Sequence, residues 1–391
     1  MKYFEFSNLV KVLAGEDALE NVGYELNYLG SKKPLIITDE MLMKLGVTTQ
    51  VIRLARDRVD TSVVFINVPV DSSFEIIEEI RNFYNANSCD GILAVGGGSV
   101  IDTAKGVRVL LSQDAEKMSD LMGNEVIQKK KHIPFVVIPT TSGTGSEMTF
   151  VAVLRDTEKD KKYEFISNEL LPDVAVLDAR MTISLPAKLT ASTAIDALCH
   201  SIEAYSCNQK NPISDAFASA SVEMICENLV PTVVDGKFKD GRVALSLASL
   251  MAGLAFSNSM VGLAHAIAHS LGGIAKVAHG EAISLVLVEV MKFNKVACGD
   301  EYEKLLLFVA GADIYASTPK EQRCDEAINQ IENLLNRLRE LKALPVNLRE
   351  KGVKEYQLEE IAKLSTKDGA IVLNKRPASK EQILEILKKI Y

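Results

Sequence analysis

The chain has 391 residues, of which 47% are hydrophobic and 25% are charged, and its net charge is −8. This composition is typical of a soluble globular protein with the length of roughly two domains. The lack of a long basic stripe argues against nucleic acid as a partner. No segment approaches the roughly 18 apolar residues that a membrane span requires, so we expect no membrane partner. The six cysteines include no Cys-x-x-Cys pair, which favours reduced thiols and a cytoplasmic location.

Short apolar runs alternate with amphipathic segments as far as about residue 180. This alternation predicts an α/β domain with a parallel, Rossmann-like sheet and helices on its faces. The predicted strands are 34–38, 62–68, 91–95, 134–138 and 174–178, and residues 73–87 are a predicted helix. The runs 150–156 and 161–167, which a polar stretch separates, predict a hairpin added to the sheet.

The β pattern stops at Pro186, and apolar residues then recur with a helical period. The predicted helices include 193–206, 214–228, 242–256 and 321–342. We therefore expect two domains, an α/β dinucleotide-binding domain at 1–185 and an all-helical metal-binding domain at 186–391.

Three consecutive glycines, Gly96 to Gly98, lie between a predicted buried strand and a predicted helix. Ser99 and Asp102 have the spacing of a capping box at the start of that helix. Free N–H groups and the helix dipole favour a phosphate there, and glycines let the backbone approach it closely. Because Ile101 replaces the third glycine of G-x-G-x-x-G, a simple tight turn remains an alternative.

Two further features point to a nucleotide. The polar loop Thr140 to Glu147 (TTSGTGSE) follows the next predicted strand, at the sheet edge where open α/β sheets bind ligands. Asp39 ends the first predicted strand, where a carboxylate would accept hydrogen bonds from ribose hydroxyls and repel a 2′-phosphate. This favours NAD over NADP, although Asp39 could equally cap the helix that begins at Glu40.

Four of the five histidines lie within residues 200–279. Asp196 and His200 are four apart in a predicted helix, so both project from one face. His265 and His269 repeat this spacing, and His279 follows in a glycine-flanked segment that we expect to be a loop. Oxygen and nitrogen ligands without sulfur favour a catalytic Fe²⁺ or Zn²⁺ site. The alternative is that each histidine is a core residue bonded to a carbonyl group.

Together these segments resemble the iron-containing alcohol dehydrogenase family over nearly the whole chain. The resemblance rests on GGGSVIDTAK, PTTSGTGSE, LTASTAIDALCHSIEAY, GLAHAIAHSLGG and AHGEAISLVL. It implies a dehydroquinate synthase-like architecture, with an active-site cleft between the two domains, and a homodimer. It also implies a single metal ion on Asp196, His200, His265 and His279, and a small alcohol or aldehyde as substrate.

The resemblance extends to the cofactor and the substrate pocket. It implies NAD contacts from Asp39, Gly97, Gly98, Ser99, Asp102, Thr140, Thr141, Thr144 and Lys162. It places Phe150, Val151, Phe256 and Ala370 in the pocket, where their apolar side chains suggest an uncharged substrate. Residues 69–72 (Pro-Val-Asp-Ser) depart from the Pro-Asn-Pro-Thr of many members, so any cofactor contact from that Asn is absent.

His269 shares a helical face with His265, but the family pattern leaves it out of the ligand set. We expect it to be a catalytic proton carrier, since imidazole exchanges protons near neutral pH, or else only to pack against His265.

One rival function is a metal- and NAD-dependent lyase of the dehydroquinate synthase type. Such a lyase needs basic side chains for a charged substrate, yet Lys188 and Lys210 are the only lysines or arginines between Met181 and Asp235. The other rival is a non-catalytic metal-binding protein.

Overall fold

The computed structural model describes residues 3–123 and 126–391. It contains two compact units, Asn8–Ser184 (the first unit) and Leu185–Tyr391 (the second unit). Residues 3–7 pack with the second unit. There the Ser7 amide donates to Asn258 Oδ1 over 2.8 Å, and the Phe6 ring stacks on Phe217 with centroids 6.0 Å apart.

All strands of the described residues lie in the first unit. They are β1 Lys11–Ala14, β2 Pro34–Ile37, β3 Val64–Phe65, β4 Gly91–Gly96, β5 Phe135–Pro139, β6 Val151–Asp156, β7 Lys161–Ile166 and β8 Val174–Leu177. Six of these described strands form one parallel sheet in the order β1-β8-β5-β4-β2-β3. This confirms the predicted parallel sheet.

The central strands are apolar along their whole length because both faces of the sheet are covered. In β4, Ile92 and Ala94 join one buried cluster, and Leu93 and Val95 join the cluster on the opposite face. Continuous apolar runs are what a strand buried on two faces requires.

The helices of the first unit are α1 Val22–Tyr28, α2 Glu40–Lys44, α3 Val47–Ala55, α4 Phe74–Ala86, α5 Gly98–Gln113 and α6 Ala179–Thr182.

Three details differ from the sequence prediction. The hairpin β6–β7 is a separate antiparallel pair rather than an extension of the sheet, because it packs on α4 and α5. The predicted strand 62–68 narrows to Val64–Phe65 at the sheet edge. The other edge strand, β1, is half exposed, so it lacks the apolar run that would predict it.

The described part of the second unit is helical, as predicted. Its helices are α7 Ala187–Ser206, α8 Pro212–Val234, α9 Lys239–Ser257, α10 Leu263–Ala275, α11 His279–Ser317, α12 Arg323–Glu340, α13 Leu358–Ser365 and α14 Lys380–Lys389. Their apolar faces share one core that includes Ile195, Leu198 and Ile283. The backbone of α11 leaves the helical conformation at Cys298 and Gly311. Within the described residues, no helix is both long enough and apolar enough to cross a membrane.

Candidate functional sites: two polar loops and a histidine cluster

The order of the sheet identifies its ligand-binding edge. From β2 the chain moves toward the edge strand β3, whereas from β4 it moves toward β5 on the other side. In open α/β sheets, ligands bind beyond the carboxyl ends of the strands where the order reverses in this way. Asp39 follows β2, and the glycine-rich loop follows β4. Asp39 and the glycine-rich loop, both predicted to contact the cofactor, therefore flank the reversal point.

The loops after β4 and β5 touch each other. A Cβ atom on Gly97 would lie 3.3 Å from the Thr141 side chain, and one on Gly98 would lie 2.9 Å from Thr144 Cγ2. The Thr140 amide donates to the Gly96 carbonyl over 3.0 Å. Helix α5 begins at Gly98, so its first N–H groups lie at this junction. The structure thus brings together the predicted residues of the two loops.

Asp102 does not cap α5, so the predicted capping box is wrong. The N-cap is Gly97, and no side chain caps it. The Asp102 carboxylate instead accepts hydrogen bonds from Ser146 Oγ at 2.6 Å and from the Val153 amide at 3.0 Å. Asp102 therefore ties α5 to the segment after β5.

Lys105 strengthens this tie, and the sequence pattern gave no sign of it. Its side chain is fully buried in α5, and its Nζ donates to Thr149 O, Thr149 Oγ1 and Val151 O over 2.7–2.9 Å. Burial lowers the pKa of Lys105 to about 8 and raises the pKa of the neighbouring Glu147 to about 7. These buried bonds therefore hold the end of the segment between β5 and β6 against α5.

The remaining predicted nucleotide residues already have protein partners. Asp39 caps α2, with Oδ1 accepting from the Leu42 amide at 2.9 Å. Ser99 Oγ donates to the Val70 carbonyl. Lys162 Nζ pairs with Asp71 Oδ1 at 2.7 Å, on a half-exposed surface. Each keeps a polar atom that could serve a ligand as well.

The histidine cluster is assembled by three helices of the second unit. Asp196 and His200 lie one turn apart in α7, and His265 lies in the first turn of α10. His279 is the first residue of α11, after the N-cap Ala278, so the predicted loop at His279 is wrong. The cluster therefore combines the middle of α7 with the first turns of α10 and α11.

Distances define a compact triad within this cluster. The ligand atoms of Asp196, His265 and His279 lie within 4.8 Å of one another. His279 Nε2 is 3.2 Å and His265 Nε2 is 3.6 Å from Asp196 Oδ1. Yet Asp196 Oδ1 and His265 Nε2 are buried atoms that have no aligned hydrogen bond to any described residue. These atoms face one another in ion-pair contacts without an aligned hydrogen bond.

His200 lies beside this triad rather than within it. Its ring stacks on His265 with centroids 4.4 Å apart and on Phe256 with centroids 4.3 Å apart. Its Nδ1 is another buried atom without a hydrogen bond to the described residues. The predicted pocket residue Phe256 thus covers one face of a predicted ligand.

The electrostatics at Asp196 and His200 favour forms that can bind a metal. Burial alone would raise the pKa of Asp196, but His200, His279 and His265 hold it well below the usual value. Burial lowers the pKa of His200 to about 3, against the opposing charge of Asp196. Asp196 is therefore ionised and His200 is neutral, which are the states in which both donate lone pairs.

His269 projects into the same cluster. Its ring stacks on His279 with centroids 5.4 Å apart, and 39% of its side chain is exposed. Its Nδ1 lies 2.9 Å from Asp368 Oδ2, a partner that sequence reasoning missed. Asp368 Oδ1 also accepts from the amide of Ala370, so Ala370, a predicted pocket residue, lies next to the pair of His269 and Asp368.

The other two predicted pocket residues, Phe150 and Val151, lie in the first unit at the start of β6.

Glu203 is a second residue that sequence reasoning missed. It follows His200 by three residues in α7, and its Oε2 lies 2.6 Å from His265 Nδ1. Burial disfavours the charged form of His265, but Cys199, Glu203 and Asp196 raise its pKa well above the usual value. The spacing Asp196, His200, Glu203 along one helical face was the available signal for Glu203.

Comparison with known proteins covers both units. The family model described as iron-containing alcohol dehydrogenase matches residues 10–179. The model described as Fe-containing alcohol dehydrogenase family, C-terminal, matches residues 190–391.

Individual proteins match along their whole length. The chain is 32% identical to an NAD-dependent methanol dehydrogenase of Bacillus methanolicus, over 96% of each chain. It is also 32% identical to a 1,3-propanediol dehydrogenase of Citrobacter freundii, over 100% of each chain. A crystal structure of 1,3-propanediol oxidoreductase has a TM-score of 0.93 at 30% identity and covers 100% of both chains.

Proposed function

The chain belongs to the iron-containing alcohol dehydrogenase family, and on that premise we propose that it interconverts small primary alcohols or diols and their aldehydes. It is an NAD-dependent, metal-containing alcohol dehydrogenase, and hydride passes between substrate and NAD at one divalent ion. The proposed ligands are Asp196, His200, His265 and His279.

The observation that most supports this site is a set of buried polar atoms without partners. Asp196 Oδ1, His200 Nδ1 and His265 Nε2 are buried in one cluster and make no hydrogen bond to the described residues. A buried polar group that lacks an aligned hydrogen bond costs up to about 1–3 kcal/mol, so an ion shared by these atoms would stabilise them. One oxygen and several imidazole nitrogens suit Fe²⁺ or Zn²⁺, and the iron-containing family favours Fe²⁺.

The protein side of the mechanism concerns orientation and proton transfer. When bound, the metal supplies Lewis acidity to an alcohol or carbonyl oxygen, and NAD supplies the hydride acceptor. Asp196 contributes the negative charge of the ligand set, and Phe256 shields one face of His200 from water. With Asp368 at its Nδ1, His269 keeps Nε2 free to carry a proton between the substrate oxygen and solvent. We propose His269 as the catalytic residue for this step.

We propose that residues 1–185 bind NAD and that residues 186–391 hold the metal. The contact between the two loops, with the start of α5 beside it, supports pyrophosphate binding at Gly97, Gly98 and Thr144. The other proposed cofactor residues are Asp39, Ser99, Asp102, Thr140, Thr141 and Lys162. Asp39 already accepts one hydrogen bond through Oδ1, which leaves Oδ2 for a ribose hydroxyl.

The substrate class follows from apolar pocket side chains and from the relatives. We propose that Phe150, Val151, Phe256 and Ala370 line the substrate pocket, and none of these side chains carries a charge or a hydrogen-bonding group. Relatives described as methanol and 1,3-propanediol dehydrogenases fit a small, uncharged substrate.

We also propose that the chain works as a homodimer in the cytoplasm. All six cysteines are free thiols, which suits a reducing compartment. Sedimentation of the purified protein would test the dimer.

The test of the function is a metal-dependent turnover assay. Protein purified without oxygen is stripped with a chelator, reloaded with Fe²⁺ or Zn²⁺, and mixed with NADH and straight-chain aldehydes, among them 3-hydroxypropanal. We expect NADH to be consumed only in the reloaded samples, with NADPH as the comparison cofactor. Equal rates in stripped and reloaded protein would contradict the metal role, and no turnover of any aldehyde would contradict the reaction.

A further inference from the structure

The carboxylate of Glu203 is surrounded by hydrogen-bond donors. It is 4% exposed in α7 and accepts from three groups at the start of α10. Oε2 lies 2.8 Å from the Gly262 amide and 2.6 Å from His265 Nδ1, and Oε1 lies 2.7 Å from the Ala264 amide. One side chain therefore holds both the backbone that precedes His265 and the imidazole itself.

The two nitrogens of His265 face different partners. Nδ1 points to Glu203, whereas Nε2 lies 3.6 Å from Asp196 Oδ1 and has no hydrogen bond among the described residues. An ionised carboxylate can only accept, so Nδ1 must carry a proton in this contact. In the neutral ring, the lone pair is then on Nε2 and directed into the triad.

We propose that Glu203 is a positioning residue of the metal site, which selects the Nε2 lone pair of His265 for the ion and fixes the start of α10. This inference rests on the proposed function, because it needs Asp196, His265 and His279 to bind a metal. Carboxylate partners of metal-bound histidines orient the ring and raise its basicity, and their loss typically weakens metal binding by about 10–100-fold.

A neighbouring acceptor provides a matched control. Asn374 Oδ1 accepts from the Leu263 amide at 3.2 Å and from Asn294 Nδ2 at 2.9 Å, so it too holds the start of α10. Both acceptors can approach because a Cβ on Gly262 would lie only 2.9 Å from Asn374 Oδ1 and 3.1 Å from Glu203 Oε1. Glu203 bonds to the imidazole of His265, whereas the bonds of Asn374 reach the backbone and Asn294.

The substitution Glu203→Gln removes an acceptor without changing the shape of the side chain. A glutamine amide offers one oxygen to a site in which all three partners are donors. If the NH₂ group takes the Oε2 position, it donates to His265 Nδ1 and shifts the ring proton to Nε2, where it blocks the metal. If it takes the Oε1 position, it faces the Ala264 N–H group instead.

Metal affinity is the first measurement. Zn²⁺ binding to wild type, Glu203→Gln and Asn374→Ala is measured by competition with a chromophoric chelator, beside the melting temperature of each metal-free protein. We expect Glu203→Gln to bind Zn²⁺ about 10–100-fold more weakly. We expect Asn374→Ala to melt at a lower temperature with its affinity changed less than threefold.

The outcomes separate this inference from the function on which it rests. Wild-type affinity in Glu203→Gln, or equal losses in both variants, would overturn the positioning role alone. Failure of the wild type to bind Zn²⁺ would overturn the metal site and this inference together.

A second measurement needs no variant. In the Zn²⁺-loaded wild type labelled with ¹⁵N-histidine, five histidines give five ring systems. We expect His265 to retain a downfield proton on Nδ1, protected from exchange, with Nε2 shifted by the metal. A metal-shifted Nδ1 on His265 would overturn the proposal even if Glu203→Gln does not fold.

Discussion

The substitution Gly280→Ala should damage the metal site without touching a proposed ligand. A Cβ at Gly280 would lie 2.4 Å from the carbonyl oxygen and 2.8 Å from the carbonyl carbon of Ser192 in α7. The shorter distance falls about 1 Å below the 3.4 Å at which ordinary contacts begin. Since both contacted atoms belong to the backbone, no side-chain rotation relieves the clash, and the start of α11 must move away from α7.

His279 immediately precedes Gly280 and must move with it. Its Nε2 now lies 3.2 Å from Asp196 Oδ1. Ligand distances in metal sites are held within about 0.2 Å, so a shift of about 1 Å takes His279 out of reach. We expect Gly280→Ala to lower turnover about 10²-fold and the free energy of unfolding by about 1–3 kcal/mol.

The matched control is Gly273→Ala, on the helix that carries His265. A Cβ there meets no atom within 4 Å, so alanine should stabilise α10 by about 1 kcal/mol and leave metal binding unchanged. Metal affinity by chelator competition, turnover and calorimetric melting are measured on both variants. Wild-type affinity and melting in Gly280→Ala would refute the link between helix packing and the position of His279.

Three further predictions address the proposed cofactor loops and the proposed proton carrier. Asp39→Gly should raise KM for NAD and lower KM for NADP, because the 2′-phosphate is no longer repelled, whereas equal KM values before and after would remove Asp39 from the site. Gly98→Ala should raise KM for NAD with metal affinity unchanged, since its Cβ would lie 2.9 Å from Thr144 Cγ2; an unchanged KM would argue against the loop contact as the phosphate site. His269→Ala should retain metal, lose about 10²-fold in turnover and recover partly with added imidazole. Loss of metal in step with activity would instead make His269 a support of the ligand set.

Much of the fold was predictable because buried strands and amphipathic helices have distinct periods. The apolar run Gly91 to Val95 predicts a central strand, and the structure extends it by one residue to Gly96. Residues 73–87 predict α4 to within its caps, since Ser73 and Asn87 are the N-cap and C-cap. Edge strands were not predictable, because β1 is half exposed and its pattern resembles a loop.

The site was predictable as far as local spacing reaches. Asp196 and His200 share a face because they are four residues apart in one helix, and the structure places both in α7. Partners distant in sequence gave no comparable signal. Asp368 lies 99 residues after His269, and only the tertiary packing of the second unit brings them together.

Local pattern also failed where tertiary contacts compete for a side chain. The spacing of Ser99 and Asp102 indicates a capping box, but Asp102 forms its bonds with Ser146, in the segment after β5, and with Val153 in β6. The glycine beside His279 suggests a loop, whereas Gly280 lies within α11 and allows that helix to approach Ser192 closely.

The central claim is that one metal ion, bound by the cluster of Asp196, His200, His265 and His279, is required for turnover. The most direct measurement is the metal content and aldehyde reduction of His279→Ala, with His132→Ala as the control. His132 lies outside the cluster, and its side chain is 54% exposed. We predict one ion per chain and full turnover in His132→Ala, with most metal and nearly all turnover lost in a still-folded His279→Ala. Full metal content in His279→Ala would contradict the account.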